Sequence, residues 1–165
     1  MYVVLLMKKS PKNLKVIAAH ESKEKLNEAF KLLRKEGLIA RQKFLCCNGC
    51  AGSQLAHDVT ALIDAGRKPP KGAVFYSKQG GFFDGPPDSG WSRVTKLYLS
   101  FGNVTTEKHG EIGLPTLEVG RLICKALDTV GLHYEWDETP ESTIVVDPCP
   151  GLWDVEPRVR FARVG

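Results

Sequence analysis

A helix-ending glycine followed at once by an apolar run occurs twice in this chain, and no other pattern limits the fold as tightly. Leu26, Ala29, Phe30 and Leu33 recur at helical spacing and run into Gly37-Leu38-Ile39-Ala40. Leu122, Ile123, Ala126, Leu127 and Val130 do the same and run into Gly131-Leu132. Glycine suits the position just past a helix because it alone enters the left-handed conformation without strain. With a strand before each helix, the two passages read as β-α-β units. The expectation is an α+β single domain, a mixed sheet with about three helices packed mainly on one face. The echo is read as the shared chemistry of helix ends, with an ancient duplication as the alternative.

The chain's 165 residues suit one domain with a real core. Residues 2–7 and 14–20 are short apolar runs joined by a polar connector, which predicts an N-terminal β-hairpin over residues 1–21. Ser22 is then the expected cap of the first helix. Strands are expected over residues 38–46, 73–77, 95–101, 133–136 and 143–146. Leu55, Val59, Leu62 and Ile63 predict a second helix over 53–65, and a third covers 116–130. Residues 148–165 read as an irregular tail, with an edge strand over 158–164.

Apolar content of 42% and charged content of 25% are those of an ordinary globular protein. No run approaches the roughly 18 apolar residues of a membrane span. The opening apolar run is too short for a secretory leader and lacks its flanks, so the expected location is cytoplasmic. Residues 1–45 carry 11 Lys/Arg against 4 Asp/Glu, and residues 104–165 carry 6 against 11. Solvated helix faces account for that imbalance, and no basic run interleaved with aromatics points to nucleic acid.

The strongest chemical signal is Phe44-Leu45-Cys46-Cys47-Asn48-Gly49-Cys50, with three of the five cysteines. Cys47 and Cys50 have the two-residue spacing that lets two thiolates meet one zinc ion. Cys46 and His57 are the further candidate ligands, although Cys46 on a strand would face away from Cys47. A strand, a Cys-x-x-Cys turn and a helix also form the local layout of thioredoxin-like motifs, so Cys47 and Cys50 are candidate reactive thiols. Gly113-Leu114-Pro115-Thr116 resembles the proline segment of that fold, and His57, His109 or His133 could act as base. The plain alternative is packing: free cysteine is a small hydrophobe and Asn-Gly is a strong turn pair.

Residues 78–92 hold four glycines, two prolines, Phe82, Phe83 and Trp91. A long connector of this kind suits a binding loop for a protein partner or a lid over a ligand. Its glycines make no phosphate-binding pattern. Glu135 and Asp137 flank Trp136 at strand spacing, which suits a cation site or, more plainly, a solvated strand face.

An ordered series of short segments resembles an uncharacterised bacterial family, a domain of unknown function. The series is Leu26…Phe30…Leu33…Gly37-Leu38, Phe44-x-Cys46-Cys47-x-x-Cys50, Val74-Phe75-Tyr76, Leu97-Tyr98-Leu99-Ser100-Phe101-Gly102 and Glu135-Trp136-Asp137. It covers about residues 26–147 and implies an architecture but no reaction. The family pattern has Gly after the third cysteine, where this chain has Ala51. It continues past Phe-Tyr/Phe with His-x-Gln-Asp, where this chain reads Ser77-Lys78-Gln79-Gly80. A metal site built from three cysteines and that His would therefore lack one ligand here.

These residues favour a non-catalytic binding or interaction module that uses Phe82, Phe83 and Trp91, with a protein partner, no membrane and no cofactor. The alternative is a thiol-dependent redox or zinc-binding protein that uses Cys46, Cys47 and Cys50.

Overall fold

A computed structural model describes residues 11–77, 81–84 and 93–146, with side chains for 22–77 and 96–146. The elements are α1 (Pro11–Lys35), β1 (Leu38–Arg41), α2 (Asn48–Asp64), β2 (Gly72–Phe75), β3 (Gly81–Asp84) and β4 (Arg93–Gly102), followed by β5 (Val104–Thr106), β6 (Gly110–Ile112), α3 (Thr116–Val130), β7 (Tyr134–Glu135) and β8 (Ile144–Val146). The main sheet has the order β1-β2-β4-β8-β7, and β3 also pairs with β4. β1 and β2 are parallel, Leu38 opposite Gly72 and Arg41 opposite Phe75, and the other pairs are antiparallel. Leu97 pairs with Gly81 on one side and Val146 on the other, so β2 and β3 follow each other along one edge of β4.

The alternation of β2 separates two cores. Val74 and Tyr76 point into the larger one, with Leu26, Phe30 and Leu33 of α1 and Val119, Ile123 and Leu127 of α3. Ala73 and Phe75 point the other way, into a smaller cluster with Ala51, Leu55 and Val59 of α2 and Val104 of β5. Of the three helices among the described residues, α1 and α3 therefore share one face, and α2 with the β5–β6 hairpin lies on the opposite face. Each fully buried Leu or Phe contributes roughly 1.5–3 kcal/mol, so the α1–α3 side carries most of the stability. α3 has the bounds read from the sequence, and Gly131 closes it at φ 75. No helix among the described residues is long and apolar enough to cross a membrane.

Four expectations are corrected. Residues 14–20 lie inside α1 and form no hairpin strand; residues 1–10 lie outside the described residues. Leu14, Ile17 and Ala18 already fit helical spacing, and Pro11 suits the first position of a helix, where its missing N–H costs nothing. β1 stops at Arg41, because Lys43 (φ 49) and Leu45 (φ 60) leave the extended region. α2 starts at Asn48, five residues earlier than read, so the Cys-x-x-Cys stretch is its first turn. Residues 81–84 form β3, because β4 extends back to Arg93 and offers them an edge to pair with. The β5–β6 hairpin is an addition, and residues 147–165, with the expected tail strand, lie outside the described residues.

Candidate functional site

Residues 42–47 carry the chain from the end of β1 to the start of α2, and several contacts pin this strap. The Phe44 N–H donates to the Tyr76 carbonyl at 2.8 Å. Its ring meets Phe75 edge-on with centroids 6.1 Å apart. The Arg41 guanidinium lies 4.6 Å over the Phe44 ring and pairs with Asp58 of α2 at 2.6 Å. Burial opposes the charge on Asp58, but hydrogen bonds from Gln54 and Arg41 hold its carboxyl below the usual range. A left-handed non-glycine residue costs roughly 1–2 kcal/mol. Lys43 and Leu45 adopt that region because their neighbours are fixed on both sides.

The strap delivers Cys46 and Cys47 to the N-terminus of α2. Cys47 is the N-cap at φ −147 and ψ 168, and its carbonyl accepts the Ala51 N–H at 3.1 Å. Asn48 Nδ2 donates to Ser100 Oγ on β4 at 3.1 Å, which ties the first turn to the sheet. Cys50 lies in the same turn. The sulfurs of Cys46, Cys47 and Cys50 all lie within 4.8 Å of one another. Cys46 is the hub, with its sulfur 3.6 Å from Cys50 and 3.9 Å from Cys47. Cys46 and Cys50 are exposed and Cys47 is half-buried.

The helix start separates the thiols electrostatically. The Cys50 amide faces the Cys47 sulfur, short of a formed cap. That amide, followed by the Cys50 and Cys46 thiols, holds the Cys47 thiol below its ordinary value. Cys50 is pushed up to about 11, because it shares hydrogen bonds with Cys47 and Cys46 and would ionise beside them. The two shifts are opposite, so Cys47 loses its proton before Cys50.

The expectation that Cys46 faces away is corrected, since the left-handed Leu45 turns it toward its neighbours. No residue in 42–45 advertises that turn, because neither Lys nor Leu favours it. The earlier start of α2 was also missed. His57 lies two turns past Cys50, about 10 Å along the helix, is exposed, and does not join the sulfurs. His109 Nε2 meets Asp64 Oδ1 at 3.0 Å, at the opposite end of α2. His133 is exposed and also outside the group. Cys124 is on α3, across the sheet, and burial pushes its thiol up. Pro115 caps α3, and Leu114 N–H donates to the Lys71 carbonyl at 2.7 Å. That places the proline segment at the start of β2, while the cysteines follow the end of its parallel partner β1. The thioredoxin-like arrangement is therefore not assembled.

Asp137 accepts hydrogen bonds from the Thr139 N–H, Thr139 Oγ1 and Ser142 Oγ. Ser142 first, then Thr139, hold its carboxyl below the usual range, which marks a loop clasp. Trp136 packs against Phe101 with centroids 5.6 Å apart and donates from Nε1 to the Thr139 carbonyl. Phe82 and Phe83 lie on β3, at a register shift opposite Lys96 and Val94, and Trp91 lies outside the described residues.

The fold and this cluster define an α+β domain with a surface trio of thiols at a strand-to-helix junction, spaced closely enough to hold a metal ion. The chain belongs to the family described as domain of unknown function DUF6891, whose model matches residues 14–153. No curated protein and no solved structure matches it.

Proposed function

We propose that the protein binds a thiophilic divalent cation, zinc, through Cys46, Cys47 and Cys50. The sulfur triangle carries this reading. An ion bound tetrahedrally by sulfur at about 2.3 Å spaces its sulfurs about 3.8 Å apart. The separations of 3.6 and 3.9 Å around Cys46 match that edge. Thiolate donors select zinc over magnesium or calcium, and Cys47 supplies the first thiolate. Three protein ligands, with Cys46 and Cys50 exposed, leave a fourth position toward solvent, the pattern of an exchangeable site. The reading is one of binding, with no reaction assigned.

Elemental analysis of protein purified under reducing conditions without chelator tests it. A single equivalent of zinc is expected, lost in Cys46→Ser and Cys50→Ser and kept in His57→Ala. Protein that holds no zinc and takes up none when zinc is added would overturn the reading. Binding of a protein partner through Phe82, Phe83 and Trp91 is a separate proposal, tested by alanine substitutions against copurifying proteins.

A further inference from the structure

The sequence spacing nominates Cys47 and Cys50 as the natural disulfide pair, but the structure brings Cys46 and Cys50 into sulfur–sulfur contact. Cys46 Sγ lies 3.6 Å from Cys50 Sγ, and both thiols are exposed. A disulfide bond is about 2.05 Å long, so the sulfurs need approach by only about 1.5 Å. Cys46 follows the left-handed Leu45 at the end of a strap rather than sitting in a helix. A small rotation there moves its sulfur without unwinding α2. Bridging Cys46 to Cys47 would instead close a ring across one peptide bond. Among the described residues the trio is the whole donor set, so pairing two of its sulfurs leaves one ligand.

We propose that the site is redox-gated: peroxide joins Cys46 to Cys50, and the bond expels the metal. This rests on the zinc reading above. In the first step one thiolate sulfur attacks a peroxide oxygen, the O–O bond breaks, and a sulfenic acid forms as hydroxide leaves and is protonated to water. In the second step the other sulfur attacks the sulfenic sulfur, the S–O bond breaks, and the oxygen departs as water. Overall two thiolates are oxidised by two electrons, hydrogen peroxide is reduced to two waters with uptake of two protons, and the ion is released. A dithiol reductant reverses the change.

The test treats zinc-loaded and metal-free protein with hydrogen peroxide, follows released zinc with a chromogenic chelator, and maps disulfides by mass spectrometry. Zinc content before oxidation checks the binding reading separately. The expected result is loss of the metal together with a Cys46–Cys50 cross-linked peptide, reversed by dithiothreitol. Cys47→Ser should still form that bond in metal-free protein, and Cys46→Ser should not. Mapping to Cys47–Cys50, oxidation to sulfinic acid without a disulfide, or a disulfide that leaves zinc bound would each overturn the gate. Zinc-free protein that cannot be loaded would overturn the binding reading and the release step. Disulfide mapping would still decide the Cys46–Cys50 pairing.

Discussion

Leu45 sits at φ 60 with 38% of its surface exposed, so its conformation is imposed by the chain on either side and not by burial. Leu45→Gly should relieve that conformation and raise stability by up to about 1 kcal/mol in chemical denaturation. It should also weaken zinc binding, because a freer strap no longer holds Cys46 over Cys50. The thiols offer a pH test. Cys47 lies below the ordinary thiol value and Cys50 at about 11, and only the thiolate is nucleophilic. Alkylation followed against pH should therefore label Cys47 at lower pH than Cys50. The same order for metal-free and zinc-loaded protein would count against zinc at these sulfurs, since a bound ion protects all three.

At the scale of elements, α3 meets β4 and the segment after β7 at Gly120. A Cβ there would lie 2.5 Å from Trp136 Cη2 and 2.9 Å from Phe101 Cε2. Alanine gains about 1 kcal/mol of helix propensity over glycine. Overpacking two rings in T-shaped contact costs typically 1–3 kcal/mol. Gly120→Ala should therefore destabilise despite the better helix former, read as a lower denaturation midpoint. The β5–β6 hairpin is tied to the end of α2 by Lys108 and His109 on Asp64, at 2.9 and 3.0 Å. Lys108 first, then His109, hold the Asp64 carboxyl below 3.8, so this clasp stabilises above that value and is lost as pH falls through the depressed one. Hairpin amide protection, compared at matched pH, should be acid-sensitive in the parent and insensitive in Asp64→Asn.

Across the whole molecule, the sheet divides a large core with α1 and α3 from a small one with α2. Opening of α2 with β5–β6 should precede global unfolding in native-state hydrogen exchange. Zinc at about 100 times its dissociation constant adds roughly 2.7 kcal/mol to the state that binds it. That protection should concentrate in the first turns of α2, and uniform protection would place the ion elsewhere.

The second half of α1, α3, Gly37 and Gly131 were legible because periodicity and helix-end glycines act through nearest neighbours. The α+β class and the identity of the three cysteines followed from that same short range. The sequence also carried the wrong start of α2, because Asn48-Gly49 reads as a turn and becomes a first helical turn only when Asn48 is tied to Ser100. The meeting of Cys46 with Cys50 was not legible at all. It depends on two left-handed residues that favour other conformations locally, set in a strap whose Phe44 and Arg41 are held by Tyr76, Phe75 and Asp58. By itself the sequence determined the α+β class, the bounds of α3 and the helix ends at Gly37 and Gly131, because these follow from short-range patterns. Only the tertiary structure decided which sulfurs touch, because that depends on contacts made by residues far apart in the chain.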